Sequence, residues 1–140
     1  MTPIVRMLVV DDDPAWRALY RMAFESRFEI FEATDGQQGL LALDSVSPDV
    51  ILLDLRMPRM DGLDFIRQVD RGGIHPPIVV CSGTLNDGER PSIPGVQLTP
   101  KTSDLRDLWD ALRSAVPDVS EVSAVTKRAT APAEETFWRD

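Results

Sequence analysis

The chain has a single cysteine, Cys81, and so no internal disulfide. That excludes a disulfide-stapled module and suits a reducing cytosol. It is short of positive charge: 15 Lys and Arg stand against 23 Asp and Glu, for a net charge of −8. Such a surface repels nucleic acid and anionic membrane. Long apolar runs are missing too. The run nearest the N-terminus, Met7-Leu8-Val9-Val10, is broken at once by Asp11, which leaves neither a signal peptide nor a membrane span to be read. There is no internal repeat. What remains, 43% hydrophobic and 27% charged over 140 residues, is the make-up of one soluble domain that buries about 70% of its unfolded surface.

Short apolar runs alternate with helical patterns, the mark of a parallel sheet with crossover helices. The runs are Met7–Val10, Val50–Leu53, Pro77–Cys81 and the short Val96–Leu98, with Phe28–Ala33 as an alternating edge strand. Cys81 inside its run reads as a small buried hydrophobe. Between them, Pro14 opens a helix through Trp16, Leu19, Tyr20, Ala23 and Phe24. Asp35-Gly36 turns the chain into a second helix marked by Leu40, Leu41, Leu43 and Val46. Asp61 has the place of an N-cap for a third, through Leu63, Phe65, Ile66 and Val69 to Gly72-Gly73. The stripe Leu105, Leu108, Trp109, Leu112 and Val116 forms the last, ended by Pro117. From Gly83 to Gly95, Pro91 and Pro94 interrupt any helix, so this crossover reads as a loop or a frayed turn. Residues 117–140 change character. Asp118 and Glu121 have capping-box spacing before a weak Val119, Val122, Val125 pattern, and a disordered end is expected beyond Thr126.

In an open parallel sheet, function collects beyond the carboxyl ends of the strands. Asp11 and Asp12 follow the first apolar run, Asp54 the third, Ser82 the fourth and Lys101 the last. Three neighbouring carboxylates repel one another, and a hard divalent cation such as Mg2+ removes that penalty using only one or two direct carboxylates. A carboxylate can also attack phosphorus to give an aspartyl phosphate. Alignment and charge neutralisation are most of what phosphoryl transfer needs. Asp54, alone at the end of a central strand, has the best claim to be the nucleophile. Asp11 and Asp12 make a paired metal platform, and Lys101 and the Ser82 hydroxyl are left for the phosphoryl oxygens.

On the motifs Leu8-Val9-Val10-Asp11-Asp12-Asp13-Pro14, Asp54-x-x-Met57-Pro58-x-Met60-Asp61-Gly62, Ser82-Gly83 and Lys101-Thr102-Ser103-Asp104-Leu105, the chain resembles the receiver domains of two-component response regulators. The resemblance covers residues 4–116 and leaves 117–140 as a tail. It implies an α/β, flavodoxin-like fold: a doubly wound five-stranded parallel sheet of order 2-1-3-4-5, here with a degenerate fourth helix. It further implies that Asp54 accepts a phosphoryl group from a histidine kinase or histidine phosphotransfer protein. Mg2+ would sit on Asp11, Asp12, Asp54 and the carbonyl of Arg56, with Ser82 sensing the phosphoryl group and Lys101 pairing with it. Asp13 falls outside the pair and reads as the first helix's N-cap. The implied protein is cytoplasmic and not a turnover enzyme; its output runs through contact with a protein target, and a homodimer is left open.

Three departures stand out. Thr102 replaces the proline that usually follows the family's lysine. Leu98 occupies the place of the aromatic switch residue. The helix before the last strand is expected to be eroded, and the three departures together point to retained phosphate chemistry with altered signalling. By the same resemblance, Arg56 and Thr84 would flank the route of a hydrolytic water, and their side chains imply slow hydrolysis. Two other readings compete. In a haloacid-dehalogenase-type phosphohydrolase, Asp11-Asp12-Asp13, Ser82 and Lys101 match three motifs, but no later strand ends in paired acids and Asp54 is unexplained. In a degenerate receiver acting as a docking module, the acids are vestigial. Phe137-Trp138-Arg139 near the end of the tail reads equally as an anchor for a partner's pocket or as aromatics packed on the domain.

Overall fold

The apolar runs become parallel strands because parallel sheets are covered on both faces and tolerate few polar interruptions. The computed structural model describes residues 4–55, 57, 60–83, 93–102 and 104–116. In chain order the elements are β1 (Val5–Val10), α1 (Pro14–Phe24), β2 (Phe28–Ala33), α2 (Gly36–Val46), β3 (Val50–Leu53), α3 (Gly62–Arg71), β4 (Ile78–Ser82), β5 (Val96–Pro100) and α4 (Arg106–Ala115). The strands form one parallel five-stranded sheet of order β2-β1-β3-β4-β5. This is the doubly wound α/β architecture that the alternation of runs and helices implies. No helix among the described residues is long and apolar enough to cross a membrane.

Alternate side chains of the sheet feed two cores. On one face, Met7, Val9, Leu52 and Val79 pack with Tyr20, Phe24, Trp109 and Leu112 from α1 and α4. On the other, Leu8, Val10, Ile51 and Val80 pack with Phe65, Ile66 and Val69 of α3. β3 and β4 are buried throughout, whereas the edge strand β2 alternates and sends Glu29 and Glu32 to solvent. There Glu32 bonds Arg17 at 2.9 Å and Arg21 at 2.8 Å.

The structure differs from the sequence reading in several places. β5 runs on to Pro100, two residues past Leu98, because Thr99 and Pro100 still register with Cys81 and Ser82. A proline is tolerated here since β5 is an edge. Asp35 is a cap as well as a turn residue: its side chain accepts the Gln38 N–H at 2.9 Å. Leu41 faces solvent, because adjacent helical residues diverge by about 100° and Leu40 and Leu41 cannot both meet the core. α2 instead approaches through Gly39, where a Cβ would stand 2.8 Å from Phe65 Cε1 and 3.0 Å from Val10 Cγ2. The expected erosion of the helix before β5 falls on residues 84–95. Of these only Ile93–Gly95 lie inside the described residues, in a turn leading into β5. Arg56, Thr84, Ser103, the possible helix at 118–125 and the Phe137-Trp138 pair also lie outside them.

Candidate functional site

β1 and β3 are neighbours although β2 separates them in sequence, so a crevice opens at their carboxyl ends where strand order reverses. The ladder continues one step past each strand. The Asp11 N–H donates to the Ala33 carbonyl at 3.1 Å, and the Asp54 N–H donates to the Val10 carbonyl at 3.0 Å. These bonds set Asp11 and Asp54 side by side. A carboxylate oxygen from each of Asp11, Asp12 and Asp54 lies within 4.8 Å of the others. Asp11 and Asp54 are buried, at 1% and 7% exposure, and Asp12 stands at the mouth, exposed to solvent.

The third aspartate of the run has another task. Asp13 accepts the Ala15 N–H at 2.9 Å and so caps α1, with Pro14 in the first turn where a missing N–H costs nothing. Its own N–H donates to Asp11 Oδ1 at 2.9 Å, which orients that carboxylate. Arg17, one turn further on, donates to the Asp11 backbone carbonyl at 2.8 Å and to Glu32.

Lys101 enters from the opposite side. Its N–H donates to the Ser82 carbonyl at 2.9 Å, extending the β4–β5 ladder. Its ammonium donates to Asp11 Oδ2 at 2.8 Å and lies 3.4 Å from Asp54 Oδ2. The side chain is only 9% exposed. Burial works against the charged form, but the Asp11 hydrogen bond and the charges of Asp11 and Asp54 outweigh it and hold the Lys101 pKa above its ordinary value. Ser82 ends β4, buried, beside Pro100. Leu98 is partly buried on the α2–α3 face of the sheet, and it offers no ring there.

The Asp61-Gly62 pair explains itself in the backbone behind Asp54. Asp61 accepts the Asp64 N–H at 2.9 Å and caps α3. Gly62 donates its N–H to the Leu55 carbonyl at 2.8 Å. A Cβ on Gly62 would stand 2.6 Å from Leu55 Cα and 2.8 Å from the Asp54 carbonyl oxygen, so only glycine allows the start of α3 to lie against the backbone of Asp54 and Leu55. A Cβ on Gly36 would stand 3.0 Å from Met60 Cγ and Sδ, so the Met60 side chain lies against that glycine.

Three positions enter the site's surroundings that the sequence reading did not put there. Trp16 lies with its ring centre 5.0 Å from Lys101 Nζ. Tyr20, one turn below, is 5.7 Å from Trp16 between centroids, and its hydroxyl donates to Cys81 Sγ at 3.4 Å. Arg17 braces Asp11. All three read in the sequence as members of a helix, and no local pattern signals partners that arrive from other strands.

As chemistry, the arrangement is three carboxylates, one ammonium and a hydroxyl-bearing strand end. The excess of negative charge accommodates a divalent cation. Carboxylate oxygens are the hard donors that Mg2+ prefers, and Asp11, Asp12 and Asp54 would supply them. Residues 7–113 match the response regulator receiver domain family. A protein-glutamate methylesterase/protein-glutamine glutaminase of Cereibacter sphaeroides is 38% identical over 100 residues, covering 69% of this chain and 27% of that protein. The chain thus spans about a quarter of that relative's length. Among solved structures, the chemotaxis protein CheY4 of Vibrio cholerae shares the fold with a TM-score of 0.75 at 21% identity, covering 81% of this chain and all of the other. The Thermotoga maritima response regulator TrrA, solved with Mg2+ and BeF, gives 0.72 at 22% identity over 81% of this chain and all of that one. Strand order, the acid cluster beside a buried lysine and the match over 7–113 agree: this chain belongs to the response regulator receiver domain family.

Proposed function

We propose that residues 4–116 act as a phosphoacceptor receiver domain, phosphorylated on Asp54 and signalling through protein–protein contact. The observation that carries this reading is the position of Lys101, 3.4 Å from Asp54 and 2.8 Å from Asp11. A buried ammonium held between two carboxylates is placed to meet a phosphoryl oxygen arriving on either.

An Asp54 carboxylate oxygen attacks phosphorus in the donor, a phosphohistidine of a kinase or phosphotransfer protein. A new P–O bond forms to Asp54 while the donor's P–N bond breaks, and the electron pair leaves with the imidazole. Lys101 moves from a carboxylate partner to a phosphoryl oxygen, and the Ser82 hydroxyl, at the end of the adjacent β4, takes another. Asp11, Asp12 and Asp54, with the Arg56 carbonyl, would hold Mg2+. When bound, Mg2+ neutralises charge on the entering phosphoryl oxygens. The downstream partner is a protein target, reached in the cytoplasm.

Incubation with acetyl phosphate and Mg2+, read by intact mass and phosphate-affinity electrophoresis, tests this. The wild type is expected to gain one phosphoryl group and Asp54→Ala none. A wild type that stays unmodified and shows no response to beryllofluoride with Mg2+ overturns the reading.

A further inference from the structure

Trp16 is the one large aromatic side chain in contact with the charged cluster among the described residues. Its ring centre lies 5.0 Å from Lys101 Nζ, inside the range of a cation–π contact. The ring is itself held. Asp13 caps the helix turn that carries it, and Tyr20 packs against it from one turn below with centroids 5.7 Å apart. Tyr20 in turn is buried and tied to Cys81 in β4. The ammonium therefore lies over an aromatic ring that is anchored to the core through Tyr20.

An ammonium has three N–H donors and no acceptor. Here it has carboxylate oxygens at 2.8 Å and 3.4 Å and an indole ring whose centre lies 5.0 Å away. The indole has no oxygen to which Lys101 could defect, yet its negative face stabilises the charge that burial penalises. Resting on the phosphoacceptor reading above, we propose that Trp16 is a positioning residue for Lys101. Its ring holds the ammonium against Asp11 and Asp54 and keeps it ready for the phosphoryl oxygens on Asp54.

Position 16 of the full chain is replaced by tryptophans carrying one to four ring fluorines, which keep the shape of the side chain and progressively drain its negative face. Trp16→Phe and Trp16→Leu accompany them, with Asp54→Ala as control. The readouts are the rate of Asp54 phosphorylation from acetyl phosphate with Mg2+, the thermal midpoint, and the proton shifts of the Lys101 side chain.

The logarithm of the rate is expected to fall steadily with fluorine number, by about fivefold over the series, at a nearly constant midpoint. Phe is expected to restore most of the rate that Leu loses. The Lys101 methylene protons are expected upfield in the wild type, under the ring current, and to lose that shift in Trp16→Leu. A rate independent of fluorine number in a protein that is phosphorylated on Asp54 overturns the positioning role alone. So does a Lys101 spectrum unchanged by Trp16→Leu. A wild type no more reactive than Asp54→Ala overturns both readings together.

Discussion

Lys101 and Asp11, separated by 90 positions in the chain, meet at 2.8 Å between Nζ and Oδ2, while Asp54 stands further from the same ammonium at 3.4 Å. The lysine thus spends its best hydrogen bond on Asp11, not on Asp54. Its next partner needs only a short displacement. This pairing also solves a folding problem, since Asp11 and Asp54 are buried side by side and each raises the cost of charging the other.

Removing the ammonium exposes that cost. Lys101→Met is expected to destabilise the protein by about 2–3 kcal/mol in EDTA, because two buried carboxylates lose their counter-charge. Added Mg2+ should recover more stability in the variant than in the wild type. Urea denaturation with and without Mg2+ measures both effects, and equal midpoints in EDTA would contradict the account.

The consecutive aspartates Asp12 and Asp13 should separate cleanly. Asp13→Ala removes the α1 cap and is expected to cost about 1 kcal/mol, with Mg2+ binding less affected. Asp12→Ala, at an exposed site beside like charges, should leave stability within about 0.5 kcal/mol and weaken Mg2+ binding at least about tenfold. Urea melts and Mg2+ titration followed by tryptophan fluorescence distinguish the two.

Gly62→Ala is expected to destabilise by about 3 kcal/mol, the upper range for overpacking. The obstacles are the Leu55 Cα and the Asp54 carbonyl, backbone atoms that cannot rotate out of the way. Relief must come from shifting the Asp54–Leu55 backbone, so under the proposed function slower phosphorylation of Asp54 should accompany the lost stability. A variant as stable and as reactive as the wild type would show that this approach is looser than it looks.

Glu32 supplies a pH signature. Partial burial pushes its carboxyl upward, but hydrogen bonds and charge from Arg21 and Arg17 prevail, and the pKa falls below the ordinary 4.5. A depressed folded pKa means stability that is present above the unfolded value and lost as pH falls through the folded one. The stability gap between wild type and Glu32→Gln is therefore expected to be constant above about pH 5.5 and to shrink as the pH drops below 4.5. Urea midpoints across pH 3–7 would follow it; a gap independent of pH would remove the ion pairs from the account.

Much of this molecule was legible one residue at a time. The apolar runs named the strands because a sheet covered on both faces leaves few places for polar side chains. Asp61 and Asp13 could be recognised as caps, since a cap bonds only two or three residues ahead. The exposure of Leu41 and the end of β5 are not legible in this way, for a related reason. Leucine count does not say which side of a helix meets the sheet, and a strand lasts as long as its neighbour offers partners, here Cys81 and Ser82.

The sequence by itself determined the inventory: three aspartates at two strand ends, a serine, a lysine and the Asp61 cap that opens α3. Only the tertiary structure decided the pairings. Which acid takes the lysine, that Arg17 braces Asp11, and that Trp16 backs the ammonium all depend on the order in which strands lie side by side. Sheet order and crossover packing set distances between residues far apart in the chain, whereas periodicity and capping report only on neighbours within a turn or two.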